Sequence, residues 1–259
     1  MSGIEIERSG AKATLWLNRP ERHNAFDDGL IAELSEALGA LAADSAIRVV
    51  LLAGRGKSFS AGADLAWMKR MAGYTAAENA ADAQKMAEML HRLDSLAKPT
   101  IALVQGAAMG GGVGLVAACD IAIAAEDAQF AFSEVRLGLT PATISPYVIA
   151  AIGPRAARRY LLTAERLDAR RALGLGLVAT VVPGADLLTE ASRLADILCQ
   201  NGPAAMAEAK RLIADVTDRP IDAALRTETA GRIARQRAGA EGREGVAAFL
   251  EKRKPDWQG

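Results

Sequence analysis

The stretch IALVQGAAMGGGVGLVAACD, residues 101–120, decides the fold class. Ile101–Gln105 reads as a buried strand that follows Pro99. Gly106–Gly112 reads as a loop of small residues, and Gly111–Cys119 as a short buried helix that runs into Asp120. On hydropathy alone, Thr100–Cys119 approaches the roughly 20 apolar residues of a membrane span. The glycines at 106, 110, 111, 112 and 114 break that run, so strand, turn and helix describe it better.

Outward from this stretch the same alternation recurs. Ile4–Arg8 and Lys12–Asn18 read as strands joined at Ser9–Ala11, and Ala25–Ala43 as a helix with Leu30, Leu34, Leu38 and Leu41 at helical spacing. Arg48–Ala53 is a β-branched strand. Asp64 can cap the helix of Trp67, Met68 and Met71, and Ala76–Leu96 is a longer helix. Downstream, Ile121–Ala124 and Gln129–Phe132 read as strands. Strands separated by helices predict an α/β fold with crossover connections. After Val182 the pattern turns helical: Asp186–Gln200, Pro203–Val216, Ile221–Ala238 and Glu241–Lys254.

Composition narrows the function. Lys plus Arg and Asp plus Glu each number 31, and aromatics are 4%, which argues against a basic nucleic-acid binder and against stacking platforms. Cys119 and Cys199 lack metal-ligand spacing, and only His23 and His91 accompany them, so neither a zinc site nor a disulfide scaffold is expected. Met1–Arg8 carries no secretory pattern.

Two loops share one design. Ser58–Asp64 and Gln105–Gly114 each follow a buried strand and open a helix. Small side chains let a ligand approach the backbone, and helix-opening N–H groups point outward without internal partners. Together they could aim two donors at one oxygen, as an oxyanion hole. The alternatives are glycines that only permit close packing, or a dinucleotide fingerprint that Gly110–Gly114 fits poorly. A third feature is Phe130–Gly138, where Glu134 ends a short strand among apolar residues. It is either a proton carrier with a raised pKa or a solvated acid paired with Arg136.

Ala61–Leu65, Gly106 with Gly110–Gly112, Cys119-Asp120 and Phe132–Glu134 with Leu137-Gly138, taken in this order, resemble the enoyl-CoA hydratase/isomerase (crotonase) superfamily. The resemblance runs from Leu17–Pro20 to Phe249–Pro255. It implies a spiral of repeated ββα units over 1–195 and a C-terminal helical trimerisation region over 196–259. It implies an acyl-CoA thioester substrate, a cytoplasmic homo-oligomer (trimer or dimer of trimers), no cofactor or metal, and no nucleic-acid or membrane partner. By motif, the Ala63 and Gly111 N–H groups hold the thioester oxygen, and Glu134 carries protons. Hydratases of the superfamily usually have a second glutamate at the position of Gly114. Substrate contacts are expected at Ala61, Asp64, Leu65, Gly110, Gly114 and Pro141; Trp67 and Met68 either line the acyl pocket or pack a helix core, and Tyr147 could hold a water. Arg22 and Lys252 either meet CoA phosphates, as basic groups do in the superfamily, or belong to a solvated face.

Gly62–Met71, Gly112–Leu115 and Ser133–Tyr147 look like the methylglutaconyl-CoA hydratase branch, whose substrates carry a second carboxylate. Lys69, Arg70 and Arg136 are candidate cations for it. The expected reaction is hydration of a branched 2-enoyl-CoA by one glutamate. The alternatives are an enoyl-CoA isomerase using the same glutamate, and a non-catalytic thioester-binding scaffold.

Overall fold

The structure, a computed structural model, describes residues 2–258. Its strands are β1 (Ile4–Ser9), β2 (Lys12–Leu17), β3 (Val49–Gly54), β4 (Thr100–Val104), β5 (Ala107–Met109), β6 (Ile121–Ala125), β7 (Gln129–Ala131), β8 (Leu167–Asp168) and β9 (Thr180–Val182). Its helices are α1 (Asp28–Ala43), α2 (Leu65–Met71), α3 (Ala76–Asp94), α4 (Gly111–Ala118), α5 (Ser145–Thr163), α6 (Ala169–Leu175), α7 (Leu187–Cys199), α8 (Pro203–Val216), α9 (Ala223–Ala238) and α10 (Ala240–Glu251).

A six-stranded sheet in the order β1-β2-β3-β4-β6-β9 forms the spine, parallel except for the β1–β2 hairpin. Side chains alternate across it, as the period of a strand demands. Val50, Leu52, Ala102, Val104, Ala122 and Ala124 face one core, shared with α1, α3, α4 and α5. Val49, Leu51, Ala53, Ile101, Leu103, Ile123 and Ala125 face the other, under Leu187, Ala191 and Ala195 of α7. Position 195 therefore lies inside a helix that packs on the spine. Each buried Leu or Ile in these clusters contributes roughly 1.5–3 kcal/mol.

A second, three-stranded sheet in the order β5-β7-β8 lies alongside. The chain passes repeatedly from a spine strand to this sheet and then to a helix: β4 to β5 to α4, and β6 to β7 to a single helical turn and α5. β3 follows the same route through an isolated bridge from Ser60 to Ala108 before α2. This is the ββα repeat implied by the resemblance.

The helix starts follow their capping residues. Asp27 accepts from the Leu30 N–H at α1, and Thr75 with Glu78 forms a reciprocal capping box at α3. Two expectations need correction. The loop Gly106–Gly112 contains β5, a strand of three residues. Glu134 does not end a strand: β7 stops at Ala131, where its pairing with β5 ends at Met109, and Glu134 opens a one-turn 3-10 helix, Glu134–Leu137.

Candidate active site

The second sheet brings three chain segments to one edge. The Phe59 N–H donates to Gln105 O at 2.9 Å, the Ser60 N–H to Ala107 O at 3.0 Å, and the Met109 N–H back to Ser60 O at 2.9 Å. The first loop is thereby sewn to β5. On its other side the Phe26 N–H donates to Gly62 O and the Asp64 N–H to Phe26 O, both at 2.7 Å. The Ala61 N–H is also used, on His23 O. The Ala63 N–H, at an exposed residue, has no acceptor among the described residues.

The second loop ends in the same place. β5 runs parallel to β7, with Met109 opposite Ala131. The Gly110 N–H donates to Ala131 O at 2.9 Å, so Gly110 and the segment carrying Glu134 leave adjacent strands at the same end. Gly111 is the first residue of α4. Its N–H has no intrahelical acceptor and none among the described residues. Close approach of the two loops depends on glycine. A Cβ on Gly112 would stand 2.8 Å from Ser60 O, and one on Gly62 would stand 3.2 Å from Met109 O.

Glu134 lies over the start of α4. A Cβ on Gly110 would meet its Oε1 at 3.0 Å, and Gly110 has φ +49°, which an L side chain rarely adopts. Glu134 Oε2 is buried and accepts no hydrogen bond. Burial raises the pKa of this carboxyl group against the smaller opposing effect of its own backbone N–H. The suggested partner Arg136 is engaged elsewhere: its Nη2 donates to Ala164 O at 2.8 Å. A half-buried carboxyl group with one oxygen lacking a partner, close to the start of α4, is suited to moving a proton next to a developing oxyanion.

The other predicted residues divide sharply. Ala61 is exposed on the first loop. Asp64, expected to meet substrate, is held by the protein. Its carboxylate accepts from the Ala66 and Trp67 N–H groups at 2.8 and 3.2 Å, and Arg22 Nη1 lies 3.0 Å away. Burial opposes its charge, but the Trp67 N–H, Arg22 and the Ala66 N–H outweigh burial and leave its pKa below the usual value. Arg22, expected at CoA phosphates, pairs with Asp64 while its side chain stays 52% exposed. Leu65 is 82% exposed, while Trp67 is buried with its Nε1 unpartnered. Met68 is half-buried and Pro141 buried.

Tyr147 is half-buried in α5, its hydroxyl pKa raised by burial and then by the charge of Asp94. Lys252 is exposed at the end of α10, far along the chain from both loops. Of the candidate cations, Arg70 pairs with Asp28 at 2.6 Å, and Lys69 is exposed. Gly114 is buried beneath Ile144, which lies in the Ser133–Tyr147 stretch but to which the sequence assigns no role.

The sequence profile of the enoyl-CoA hydratase/isomerase family matches residues 7–259. The crystal structure of an enoyl-CoA hydratase from Shewanella pealeana has 46% sequence identity and a TM-score of 0.96, over 98% of this chain and 96% of that one. The crotonyl-CoA hydratase of Syntrophomonas wolfei is 35% identical, over 98% of this chain and 97% of its own length. The 2,3-dehydroadipyl-CoA hydratase of Escherichia coli is 34% identical, over 100% of both.

Proposed function

The chain belongs to the enoyl-CoA hydratase/isomerase family, and we propose that it is a hydro-lyase that adds water to a branched, 3-methylglutaconyl-like 2-enoyl-CoA. The observation that carries this reading is the half-buried Glu134, whose Oε2 is buried and without a hydrogen-bond partner among the described residues, held over the helix start whose first N–H has no acceptor there.

In this mechanism the thioester oxygen accepts from the Ala63 and Gly111 N–H groups, which polarise the conjugated double bond. Glu134 takes a proton from water as the water oxygen bonds to C3. The electron pair of the double bond moves into the enolate, whose oxygen the two N–H groups stabilise. Glu134 then returns the proton to C2. Losing one such donor costs about 2.7–4 kcal/mol of transition-state stabilisation. Lys69, exposed beyond the first loop, is the candidate for a second substrate carboxylate.

A second reading has support from Gly114, which leaves Glu134 without a companion carboxylate at that position. A lone glutamate also suits isomerisation, in which it removes a proton beside the carbonyl and returns it two carbons away. Mass spectrometry of products formed in ¹⁸O-water separates the two. The panel is 3-methylglutaconyl-CoA, a longer branched analogue, crotonyl-CoA and a 3-enoyl-CoA. Gain of one labelled water on a branched member supports hydration. Double-bond migration without that gain replaces it with isomerisation, and binding without change leaves a scaffold.

The assembly belongs to the same proposal. Helix α8 buries no side chain, α9 only Leu225 and α10 only Ala248. Ile213, Ile221, Ile233, Val246, Phe249 and Leu250 are exposed. Such a surface fits a homotrimer or dimer of trimers joined through 196–259. Light scattering during size-exclusion chromatography reads the mass, and a monomer at micromolar concentration would overturn this part.

A further inference from the structure

We propose that Ile144 determines both the single-carboxylate character and the acyl preference of this site, because its side chain occupies the space that any side chain at position 114 would need. The inference rests on the hydratase reading above, and the geometry is local. A Cβ on Gly114 would stand 2.3 Å from Ile144 Cγ2 and 3.0 Å from Ile144 Cβ, with Leu90 Cδ2 at 3.7 Å. Ile144 is 2% exposed and Leu90 0%. The three atoms nearest to such a Cβ are all carbon.

One segment supplies both Glu134 and Ile144. It leaves β7, places Glu134 over Gly110, turns at Gly138 and Pro141, and sets Ile144 over Gly114. The Gly114 N–H donates to Gly110 O at 3.1 Å, so the two contacts lie one helical turn apart, a rise of about 5.4 Å. Ile144 is itself pinned. The Ser145 N–H donates to Pro141 O at 3.0 Å and the Val148 N–H to Ile144 O at 3.1 Å. The β-branch of Ile144 is thus an apolar wall beside the acid rather than a mobile side chain.

The test is a size-exchange cycle in the full-length enzyme: Gly114→Ala, Ile144→Ala and the double variant. Tm, kcat and KM are read for crotonyl-CoA and 3-methylglutaconyl-CoA. Gly114→Ala alone should lower Tm and cut kcat/KM by about tenfold or more, and Ile144→Ala in that background should restore most of both. Ile144→Ala alone should shift the ratio of kcat/KM for the two esters toward the branched one by about tenfold, mainly through KM. Ile144→Val, a milder truncation, should shift it in the same direction if Ile144→Ala folds poorly.

A silent Gly114→Ala would overturn the contact. A lower Tm with an unchanged ester ratio in both Ile144 variants would reduce Ile144 to core packing and end the proposal. If the wild-type enzyme hydrates neither ester, the hydratase reading fails. The inference is then decided by dissociation constants of the two saturated acyl-CoA analogues across the same variants.

Discussion

The two donor loops hold comparable N–H groups by opposite means. The first, Ser60–Asp64, ends on a charged clamp, in which Asp64 caps α2 and pairs with Arg22 while Arg19 Nη2 lies 3.7 Å away. The second, Gly110–Gly114, carries no charge. It is fixed by volume, with Ser60 O against Gly112, Glu134 over Gly110 and Ile144 over Gly114. The clamp should make the first loop the one more sensitive to salt, and the tighter glycine contacts should make the second the one more sensitive to added methyl groups. The two supports differ in physical kind but meet at Ser60, whose O lies against Gly112 and accepts from the Met109 N–H.

The largest expected effect removes what the loops serve. Glu134→Gln should lower kcat by at least about 10²–10⁴-fold and leave thioester affinity within about tenfold, since both N–H groups persist. Steady-state kinetics and calorimetric titration read the two numbers. Affinity that collapses with turnover would show that the loops depend on the acid.

Gly111→Pro sharpens the comparison on the second loop. Position 111 is the first residue of α4, where proline suits the helix and no intrahelical bond is lost. A Cβ at 111 would stand 2.9 Å from Met86 Cε and 3.5 Å from the Phe26 ring, so the variant should fold with a lowered Tm, and it should lose about 10²–10³-fold in kcat through the missing donor. A folded variant with full activity would remove that donor from the account.

Asp64→Ala addresses the first loop. Loss of the cap should lower stability by about 1 kcal/mol and weaken binding modestly. The clamp's contribution in the wild type should shrink as salt rises, because the Arg22 side chain is 52% exposed. An equal salt dependence in Asp64→Ala would break the contrast between the loops.

The smallest effect is a slope. Glu134 binds its proton more tightly folded than unfolded, so the native state holds more protons between the ordinary value of 4.5 and the raised one. Stability should fall as pH rises through that window. Asp64 acts in the opposite sense: its lowered pKa gives stability that is present above 3.8 and lost as pH falls through the folded value. Urea titrations across pH should show the first slope reduced in Glu134→Gln, the remainder belonging to Asp94 and Asp82, whose carboxyl groups burial also raises. A slope unchanged by the substitution would remove Glu134 from it.

The difference between the loops also explains what the sequence made legible. The spine strands β3, β4 and β6 show long apolar runs, and α1 and α3 show helical spacing with capping residues, so all five could be read directly. Strands β5, β8 and β9 are two or three residues long and carry no period; tertiary pairing alone defines them. Both donor loops were visible because small residues and a cap are local signals. The sharing of Asp64 with Arg22 was not visible, because those residues are 42 apart in the chain. Ile144 over Gly114 was also hidden, since the contact arises where one segment crosses another and leaves no mark in either.

The most direct test of the two-donor account is the infrared carbonyl stretch of a ¹³C-labelled enoyl thioester. It would be bound to Glu134→Gln, which holds the substrate without turnover. The account predicts a shift to lower frequency than in buffer, clearly reduced in the Glu134→Gln, Gly111→Pro double variant. A stretch equal to that in buffer, or one unmoved by the Gly111→Pro change, would contradict it.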